Sequence, residues 1–562
     1  MQKICANPWC RQPFDFSIED RALLDRLTPV IAGKKYSIPE PTLCPTCRSQ
    51  RRLAHRNERI LYKRTCDLTK KPIVSIYSAD APCNVYAPDV WYSDGWDPMQ
   101  YGIDVDFSVP FSSQVQELRL KAPRPALAVI QNENCPYVNQ VWQSKNCHLC
   151  IDGGFDEDVL YSYATYHSRN VTDCAFTREC ERSFDLLDCS TCYGSQSCID
   201  CKNCAEAYYS IDCAQCSNIA FCSNLRGKKY CLFNREIGKE EWERQTRALL
   251  IGSSSKRQEC AQTFHELCLQ ALRRENHNVQ CEDCTGDYLA SCRNCYHCFD
   301  ADKSEDLRYC ARPDEQLTTC MDIDHGAMLE LGYEDLSAAG HGIYFCHASY
   351  STTNSNLLYC DLSFTSSDCF GCVAMKNGRY CILNKQYSKE EYESLVPKII
   401  EHMRSTGEWG EFFPAELSLF GYNESAAQQY YPITKEEIEG RGWRWREQTE
   451  EPQKVSKTVD ARLLPDAIDG VPDDILNWAI LCEDTKRPYR IIKQELEFYR
   501  TMQLPVPHLH PNERHRRRME LRNPRKLWKR KCGKCGKEME TTYSPERPEK
   551  VYCEECYLKE VY

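Results

Sequence analysis

The two ends of the chain carry the same sequence pattern, and this limits the possible folds more than any other feature. A shift of 466 residues aligns residues 39–66 with residues 505–532 without a gap and places Cys66 on Cys532. A weaker match further upstream places Cys5 on Cys482. A pattern that returns at a fixed offset indicates a duplicated structural unit. We therefore expect one module at each end, built from two successive small units.

Four cysteines in each module have the spacing of a structural zinc site. Structural Zn²⁺ takes four thiolate or imidazole ligands in a tetrahedron, often from two short knuckles, as in zinc ribbons. The sequence predicts two zinc ions per chain, with these ligands: Cys5, Cys10, Cys44 and Cys47 at the N-terminus, and Cys532, Cys535, Cys553 and Cys556 at the C-terminus.

The other unit of each module has lost most of its ligands. The N-terminal copy of the second unit has Cys66, Thr69, Ala87 and Val90 at the four positions, so we expect it to be metal-free. The C-terminal copy of the first unit has Cys482, Thr485, His510 and Glu513. We interpret this second set as a relic, with a weak metal site as the alternative.

Between the modules, cysteines recur every 24 residues, as in Cys180/Cys204 and Cys189/Cys213. Short β-prone pieces separated by turn residues favour one coil of a parallel β-helix per repeat. The segment 222–243 returns at 372–393, an offset of 150, so this body has two halves. A capping box at Ser388 and Glu391 predicts a helix that caps the second half.

The predicted fold class is mainly β with some α: tandem zinc-ribbon modules at both termini flank a Cys-rich parallel β-helix-like solenoid in two halves, with capping helices. The predicted units are the N-terminal module (1–98), the two halves of the body (99–255 and 256–405), a connector (406–475) and the C-terminal module (476–562).

The 39 cysteines need an explanation that fits their cellular location. The chain has no apolar stretch typical of a signal peptide or a membrane span, so we expect a cytoplasmic protein without a membrane partner. Thiols remain reduced there, which argues against a disulfide framework. For the body cysteines we favour packing as small apolar residues; additional metal and a redox role are the alternatives.

A row of arginines follows the N-terminal knuckle and is repeated at the other end, although the net charge is −11. The spacing places them on one face of a helix, where guanidinium groups could bind a phosphate backbone. RNA or other nucleic acid is thus one predicted partner; the alternative is that the arginines support the fold. The residues are Arg48, Arg51, Arg52, Arg56 and Arg59, and Arg514, Arg517, Arg518, Arg522 and Arg525.

Two other functional classes remain open from the sequence. A scaffold or assembly protein would use the solenoid surface for protein partners. A β-helix carbohydrate-active enzyme would need clustered acids, and the candidates are Asp152, Asp156, Glu157 and Asp158, or Asp94 and Asp97. Because acids near turns commonly cap and form turns, we expect no catalytic role for them.

Several segments resemble a family of uncharacterised Cys-rich zinc-ribbon proteins encoded in small-genome bacteria of the candidate-phyla type. They are ICANPWC, LCPTCRSQRR, RNERILYKRTCD, WYSDGWDP, KKYCLFN, LFGYNESAAQQYYPITKEE and KVYCEEC. The resemblance covers nearly the whole chain and implies zinc binding and a cytoplasmic location. It implies no particular activity.

Overall fold

The computed structural model describes residues 2–249, 252–447 and 455–562. The N-terminal region contains β1 (Gln2–Ile4), β2 (Pro13–Asp15), α1 (Ile18–Arg26), β3 (Val30–Ile31), β4 (Lys34–Lys35), α2 (Pro45–Leu53), β5 (Tyr62–Thr65), β6 (Pro72–Ser75), β7 (Val85–Tyr86), α3 (Pro88–Trp91), α4 (Phe111–Lys121) and β8 (Arg124–Pro125).

A sheet of thirteen strands follows, which we call the first ladder. Its strands are β9 (Val129–Ile130), β10 (Asn139–Trp142), β11 (Ile151–Gly154), β12 (Glu157–Leu160), β13 (Tyr163–Tyr166), β14 (Arg169–Thr172), β15 (Ala175–Arg178), β16 (Glu181–Leu187), β17 (Gln196–Ile199), β18 (Ala205–Tyr208), β19 (Ser217–Ala220), β20 (Lys229–Leu232) and β21 (Arg235–Glu236). Helices α5 (Lys239–Leu249) and α6 (Ser254–Gln270) and strand β22 (Arg273–Arg274) come next.

The second ladder is a sheet of ten strands. It comprises β23 (Gly286–Ala290), β24 (Arg293–Tyr296), β25 (Cys298–Asp302), β26 (Glu305–Arg308), β27 (Ala311–Tyr344), β28 (His347–Ser349), β29 (Ser355–Leu358), β30 (Ser367–Phe370), β31 (Arg379–Ile382) and β32 (Lys385–Gln386).

The remaining elements form the connector and the C-terminal region. They are α7 (Lys389–Ser405), α8 (Ala426–Tyr430), α9 (Lys435–Gly440), β33 (Lys457–Asp460), β34 (Trp478–Leu481), β35 (Pro488–Tyr489), α10 (Lys493–Thr501), α11 (Pro511–Glu520), β36 (Trp528–Lys531), β37 (Glu538–Thr541), β38 (Val551–Tyr552) and α12 (Glu554–Val561). The capping box of Ser388 and Glu391 is present at the start of α7.

The duplicated sequence gives duplicated elements. Strands β36, β37 and β38 begin and end 466 residues after β5, β6 and β7. The hairpins β5–β6 and β36–β37 are both antiparallel. The last strand of each module also pairs outside it: β7 lies parallel to β8, directly before the first ladder, and β38 lies parallel to β22, directly before the second. Each module is therefore joined to the start of one ladder.

The ladders repeat every 12 residues, which corrects the coil length of 24 inferred from the cysteines. Parallel neighbours in the first ladder pair residue i with i+12, as in Ile151 with Tyr163 and Ser217 with Lys229. In the second ladder the offset varies by one or two residues around this value, as between His341 and Ser355. The 24-residue repeat therefore covers two steps of the ladder. The cysteine columns Cys180/Cys192/Cys204/Cys216 and Cys189/Cys201/Cys213 return at every step.

A second regularity explains the short strands. From Gln131 to Phe233 nearly every third residue has a positive φ, including Asp188, Asp200 and Asp212. Residues other than glycine seldom adopt this conformation, and Asn and Asp tolerate it best. The chain therefore changes direction after every three residues. Most residues that follow such a corner are buried, and many are small, as at Cys189, Cys192 and Ser195.

Candidate metal centres and the arginine helices

The N-terminal centre is built from a hairpin and a helix. Cys5 follows β1 and Cys10 lies in the turn before β2, whereas Cys44 is the N-cap of α2 and Cys47 lies in its first turn. The four sulfur atoms all lie within 4.8 Å of one another. The Sγ atoms of Cys10 and Cys44 are 3.8 Å apart. The predicted ligand set is thus brought together.

The C-terminal centre repeats this construction in the other unit of its module. Cys532 follows β36, Cys535 lies in the β36–β37 turn, Cys553 is the N-cap of α12 and Cys556 lies in its first turn. These four sulfur atoms also lie within 4.8 Å of one another. The Sγ atoms of Cys535 and Cys553 are 3.8 Å apart.

Both sets fit a tetrahedral metal ion with thiolate ligands. A Zn–S bond of about 2.3 Å gives a tetrahedron whose edges are about 3.8 Å, which matches the Cys10–Cys44 and Cys535–Cys553 separations of 3.8 Å. Within the N-terminal set, a hydrogen bond from the Cys47 thiol lowers the pKa of Cys44 to about 5, and the same bond raises the pKa of Cys47. Each centre could therefore hold a metal ion, and zinc suits the donor set.

The C-terminal centre stabilises a thiolate through its backbone. The amides of Cys553 and Lys534 donate to Cys532 Sγ at 3.3 and 3.4 Å. Burial raises the pKa of Cys532, but the backbone amides, led by that of Cys535, outweigh burial and lower the pKa to about 6.

The unit around Cys66 keeps this backbone geometry without the ligands. The amides of Thr69 and Ala87 donate to Cys66 Sγ at 3.4 and 3.3 Å, at the positions that Cys535 and Cys553 occupy in the other copy. Cys66 itself is fully buried. Among the described residues, two groups have donor atoms close enough to surround a metal ion: the four cysteines that begin with Cys5 and the four that begin with Cys532. The residues around Cys66 and around Cys482 form no such group.

The arginines beside the N-terminal centre lie inside the protein. Arg48 and Arg52 are 1% and 0% exposed. Arg52 donates to Asp324 and Glu334 of the second ladder, both at 2.8 Å. Burial alone would lower the pKa of Arg52, but the carboxylates, led by that of Asp324, outweigh burial and raise it. Helix α2 ends at Leu53, so Arg56 and Arg59 lie beyond the helix face that the spacing predicts.

The remaining N-terminal arginines are also enclosed. Arg51 binds Glu411 at 2.6 Å and Glu334 at 2.9 Å. Arg56 binds Glu58 at 2.6 Å. Arg59 differs, because its Nη1 atom is buried without a hydrogen-bond partner. Burial lowers the pKa of Arg59 to about 10.

The C-terminal arginines bind the first ladder in the same manner. Arg514 and Arg518 both pair with Asp173. Arg522 binds Asp188 at 3.0 Å, and its guanidinium carbon lies 3.7 Å from the ring centre of Phe176. These contacts leave the guanidinium groups no access to a phosphate backbone.

Two arginines at the edge of this cluster complete the set. Arg525 binds Asp300 at 3.2 Å, whereas Arg517 binds Glu513 of its own helix at 3.0 Å. The Arg517 side chain is 50% exposed. It is the exposed member of the C-terminal row, because Arg514, Arg518, Arg522 and Arg525 have side chains that are 9% exposed or less.

Most cysteines of the two ladders are buried. Cys189 and Cys201 are buried, and each thiol donates to the carbonyl oxygen two residues earlier, at 3.3 and 3.5 Å. Ser195 and Ser162 occupy equivalent positions and donate in the same way. A small side chain with a short hydrogen-bond donor fits here, which agrees with the packing interpretation of the body cysteines.

Three of the six acids considered for catalysis make contacts that support the fold. Asp152 is buried and pairs with Arg312. Asp156 accepts hydrogen bonds from the Ser168 amide at 2.9 Å and the Thr165 hydroxyl at 2.8 Å, and burial raises its pKa to about 7. Asp97 accepts from the Met99 amide, as a turn-forming residue does.

Glu157 and Asp158 lie closer to the surface. Glu157 lies 3.3 Å from Arg169. Asp158 accepts hydrogen bonds from Asn146 at 3.1 Å and from Gln494 at 3.2 Å. Their contacts are therefore accounted for by the ladder surface and its neighbour, helix α10.

Comparison with protein-family models and with curated proteins found no match for this chain. Across the described residues, no helix combines the length and the apolar character needed to cross a bilayer.

The sequence did not identify the acids that receive the arginines. Asp173, Asp188, Asp322, Asp324 and Glu334 are buried on the ladders. The sequence contained one indication of these partners. The arginine rows at the two ends have few acids beside them, whereas acids occur at 12-residue intervals in the body, as at Asp188, Asp200 and Asp212.

Proposed function

We propose that the chain is a non-enzymatic, zinc-binding scaffold protein in which zinc-stabilised modules hold two ladders together. The observation that carries this proposal is the combination of two four-cysteine centres with buried arginine rows beside them. Zinc would fix the position of α2 relative to the β1–β2 hairpin and thereby orient Arg48 and Arg52 towards the second ladder. A structural zinc ion supplies this rigidity without further chemistry.

We also propose a coil geometry for the body of the molecule. Each 12-residue step would form one coil of a solenoid with four short sides, because a corner follows every three residues. Such a coil stacks on its neighbours through parallel strands and offers an extended outer surface to protein partners. The cytoplasm is the proposed location, since the buried cysteines act as reduced thiols in this arrangement.

The arginine rows do not favour nucleic-acid binding as the function. Phosphate contacts require accessible cations, and Arg517 is the member of the C-terminal row with an accessible side chain. We therefore expect no gel shift with single-stranded RNA at low salt. Any such shift would contradict this expectation, and its loss in Arg517→Ala would show that the C-terminal arginine row binds the RNA.

Metal analysis of purified protein tests the zinc assignment. We expect two zinc ions per chain by elemental mass spectrometry, one in Cys47→Ser and one in Cys535→Ser. Cys66→Ser is the matched control, because Cys66 has the same local geometry as Cys532 but lacks partner ligands, and it should retain both ions. Four or more ions per chain, or loss of zinc from the control, would show that other cysteines bind metal.

A further inference from the structure

A groove of about 520 Å³ lies between the two ladders and the C-terminal module. One wall is a column of the first ladder, in which a parallel β-bridge joins the backbone of each residue to that of the next. The column contains Arg178, Ser190, Lys202, Ala214 and Arg226. Cations therefore alternate with small residues. Neighbouring parallel strands are about 4.8 Å apart, so successive cations on this wall are separated by roughly 10 Å.

The carboxylates that line the groove already have cationic partners. Asp188 and Asp300 both bind Arg522. Asp212 binds Arg226 at 2.9 Å. Asp302 lies 3.8 Å from Lys303. Asp200 is then the groove acid that interacts electrostatically with Arg273 and Lys202.

Asp200 faces a cationic histidine. His277 Nε2 lies 3.6 Å from Asp200, and Nδ1 lies 2.9 Å from Asp287. Burial lowers the pKa of His277, but the two carboxylates outweigh burial and raise it well above its ordinary value. The ring also stacks on Tyr288 with centres 4.1 Å apart. His277 therefore offsets the charge of Asp200 on this side of the groove.

Three cations of the groove have loose acidic partners. Lys202 is exposed, and Asp200 is its electrostatic partner. The Arg178 side chain is about half exposed and lies 3.9 Å from Glu315. Arg273 has Asp200 and Glu549 as electrostatic partners, and its Nε atom is buried without a hydrogen-bond partner. Lys202 and Arg178 therefore remain accessible to an anion in the groove, although the chain has a net charge of −11.

The duplicated half of the molecule fills the corresponding space. Phe364 is the counterpart of Ala214, and its ring packs on Trp91 with centres 5.4 Å apart. Lys376, the counterpart of Arg226, donates to the carbonyl oxygen of Trp91 at 3.0 Å and lies 4.4 Å from the ring centre of Trp96. The same architecture can thus be closed by aromatic side chains, so the open groove is not a requirement of the fold.

We propose that this groove binds a small molecule that carries one or two phosphate groups. Lysine and arginine are the usual protein donors to phosphate oxygens. A volume of 520 Å³ lies within the range of small-ligand sites. Lys202 and Arg178 would contact the phosphate groups from the wall, and Arg273 would contact them from the floor.

Isothermal titration of the full-length, zinc-loaded chain tests this site, with inorganic pyrophosphate and adenosine 5′-monophosphate as separate probes at low salt. We expect at least one probe to bind saturably at one site per chain. The double variant Arg178→Ala/Lys202→Ala should bind at least tenfold more weakly, and these exposed positions should leave the fold intact. Lys145→Ala is the matched control, because Lys145 lies on the same ladder outside the groove, and it should bind within twofold of the parent.

A second variant tests the position of the site. Ala214→Phe introduces the residue found in the other half and should abolish binding. The proposal is overturned if neither probe binds saturably, or if the double variant binds as tightly as the parent. Binding of single-stranded RNA in place of both small probes would also overturn it.

Discussion

At the residue scale, the buried arginine pairs are the interactions on which the assembly depends most. Arg52 is completely buried between Asp324 and Glu334. Removal of one member leaves buried charges without compensation, which costs several kcal/mol. An exposed pair contributes little, because water and salt screen it. Two arginines of the duplicated row, Arg52 and Arg517, represent these two cases.

We therefore predict that Arg52→Ala lowers the free energy of unfolding by about 3–5 kcal/mol, because Asp324 and Glu334 lose their partner. Arg517→Ala should lower it by less than about 1 kcal/mol, because its side chain is half exposed. Urea unfolding followed by circular dichroism measures both values. Equal effects of the two substitutions would show that the Arg52 pairs are not a main source of stability.

The same residues show what sequence reasoning can and cannot predict. The ligands in each metal centre follow from spacing alone, since Cys44 and Cys47 lie within one turn of the same helix. The partners of the arginines do not, because Arg52 and Asp324 are 272 residues apart in sequence. Only the packing of a module on a ladder brings them together. An arginine row that faces a ladder has the same sequence pattern as one that faces a nucleic acid.

At the element scale, the two joining strand pairs depend on metal to different extents. In the C-terminal copy, the amides of Arg273 and Glu275 donate to Lys550 and Tyr552, each at 2.9 Å. Strand β38 directly precedes Cys553, a metal ligand. In the N-terminal copy, the amides of Arg124 and Ala126 make the equivalent bonds to a unit that has no ligand set.

We expect Cys535→Ser to release metal from the C-terminal centre and to loosen the β22–β38 pair. The amides of Arg273 and Glu275 should then exchange with deuterium at least tenfold faster, since local opening becomes easier. The amides of Arg124 and Ala126 serve as the internal control and should keep their rates. Hydrogen exchange with mass spectrometry resolves both segments. Unchanged exchange at Arg273 and Glu275 would mean that packing alone holds β38.

The residue columns of the first ladder show why the repeat length was predicted incorrectly. Columns such as Cys174, Cys198 and Cys222 return every 24 residues, because Leu186 and Ser210 occupy the intermediate steps. These five buried residues lie at successive 12-residue steps of one column, so leucine, serine and cysteine all occur at the same position of the repeat. Other columns, such as Cys180, Cys192, Cys204 and Cys216, return every 12 residues, so the cysteines themselves already contain the 12-residue step.

At the scale of the whole molecule, the modules connect the ladders crosswise. The N-terminal module joins the start of the first ladder through β7 and β8, yet its arginines bind Asp322 and Asp324 of the second. The C-terminal module joins the start of the second ladder through β22 and β38, yet Arg514 binds Asp173 of the first. Each module therefore contacts both ladders, and we expect the parts to be stable mainly as one unit.

A chain cut within the connector tests this arrangement. A protease site introduced within residues 448–454 would give two fragments. We predict that they remain associated on size-exclusion chromatography at 0.15 M and at 1 M salt, because buried ion pairs are screened much less than exposed ones. Phe184 of the first ladder also packs beside Tyr499, with ring centres 6.3 Å apart, and this contact does not depend on salt.

The variant Arg522→Ala provides the comparison for the cut chain. Its loss leaves Asp188 and Asp300 without the guanidinium that joins them across the two ladders, so the fragments should separate at a lower urea concentration than those of the parent. Substitution of the exposed Arg517 by alanine should not change that concentration. Separation of the parent fragments at 0.15 M salt would show instead that the connection through the chain holds the C-terminal module in place, and that the crosswise contacts contribute little to the assembly.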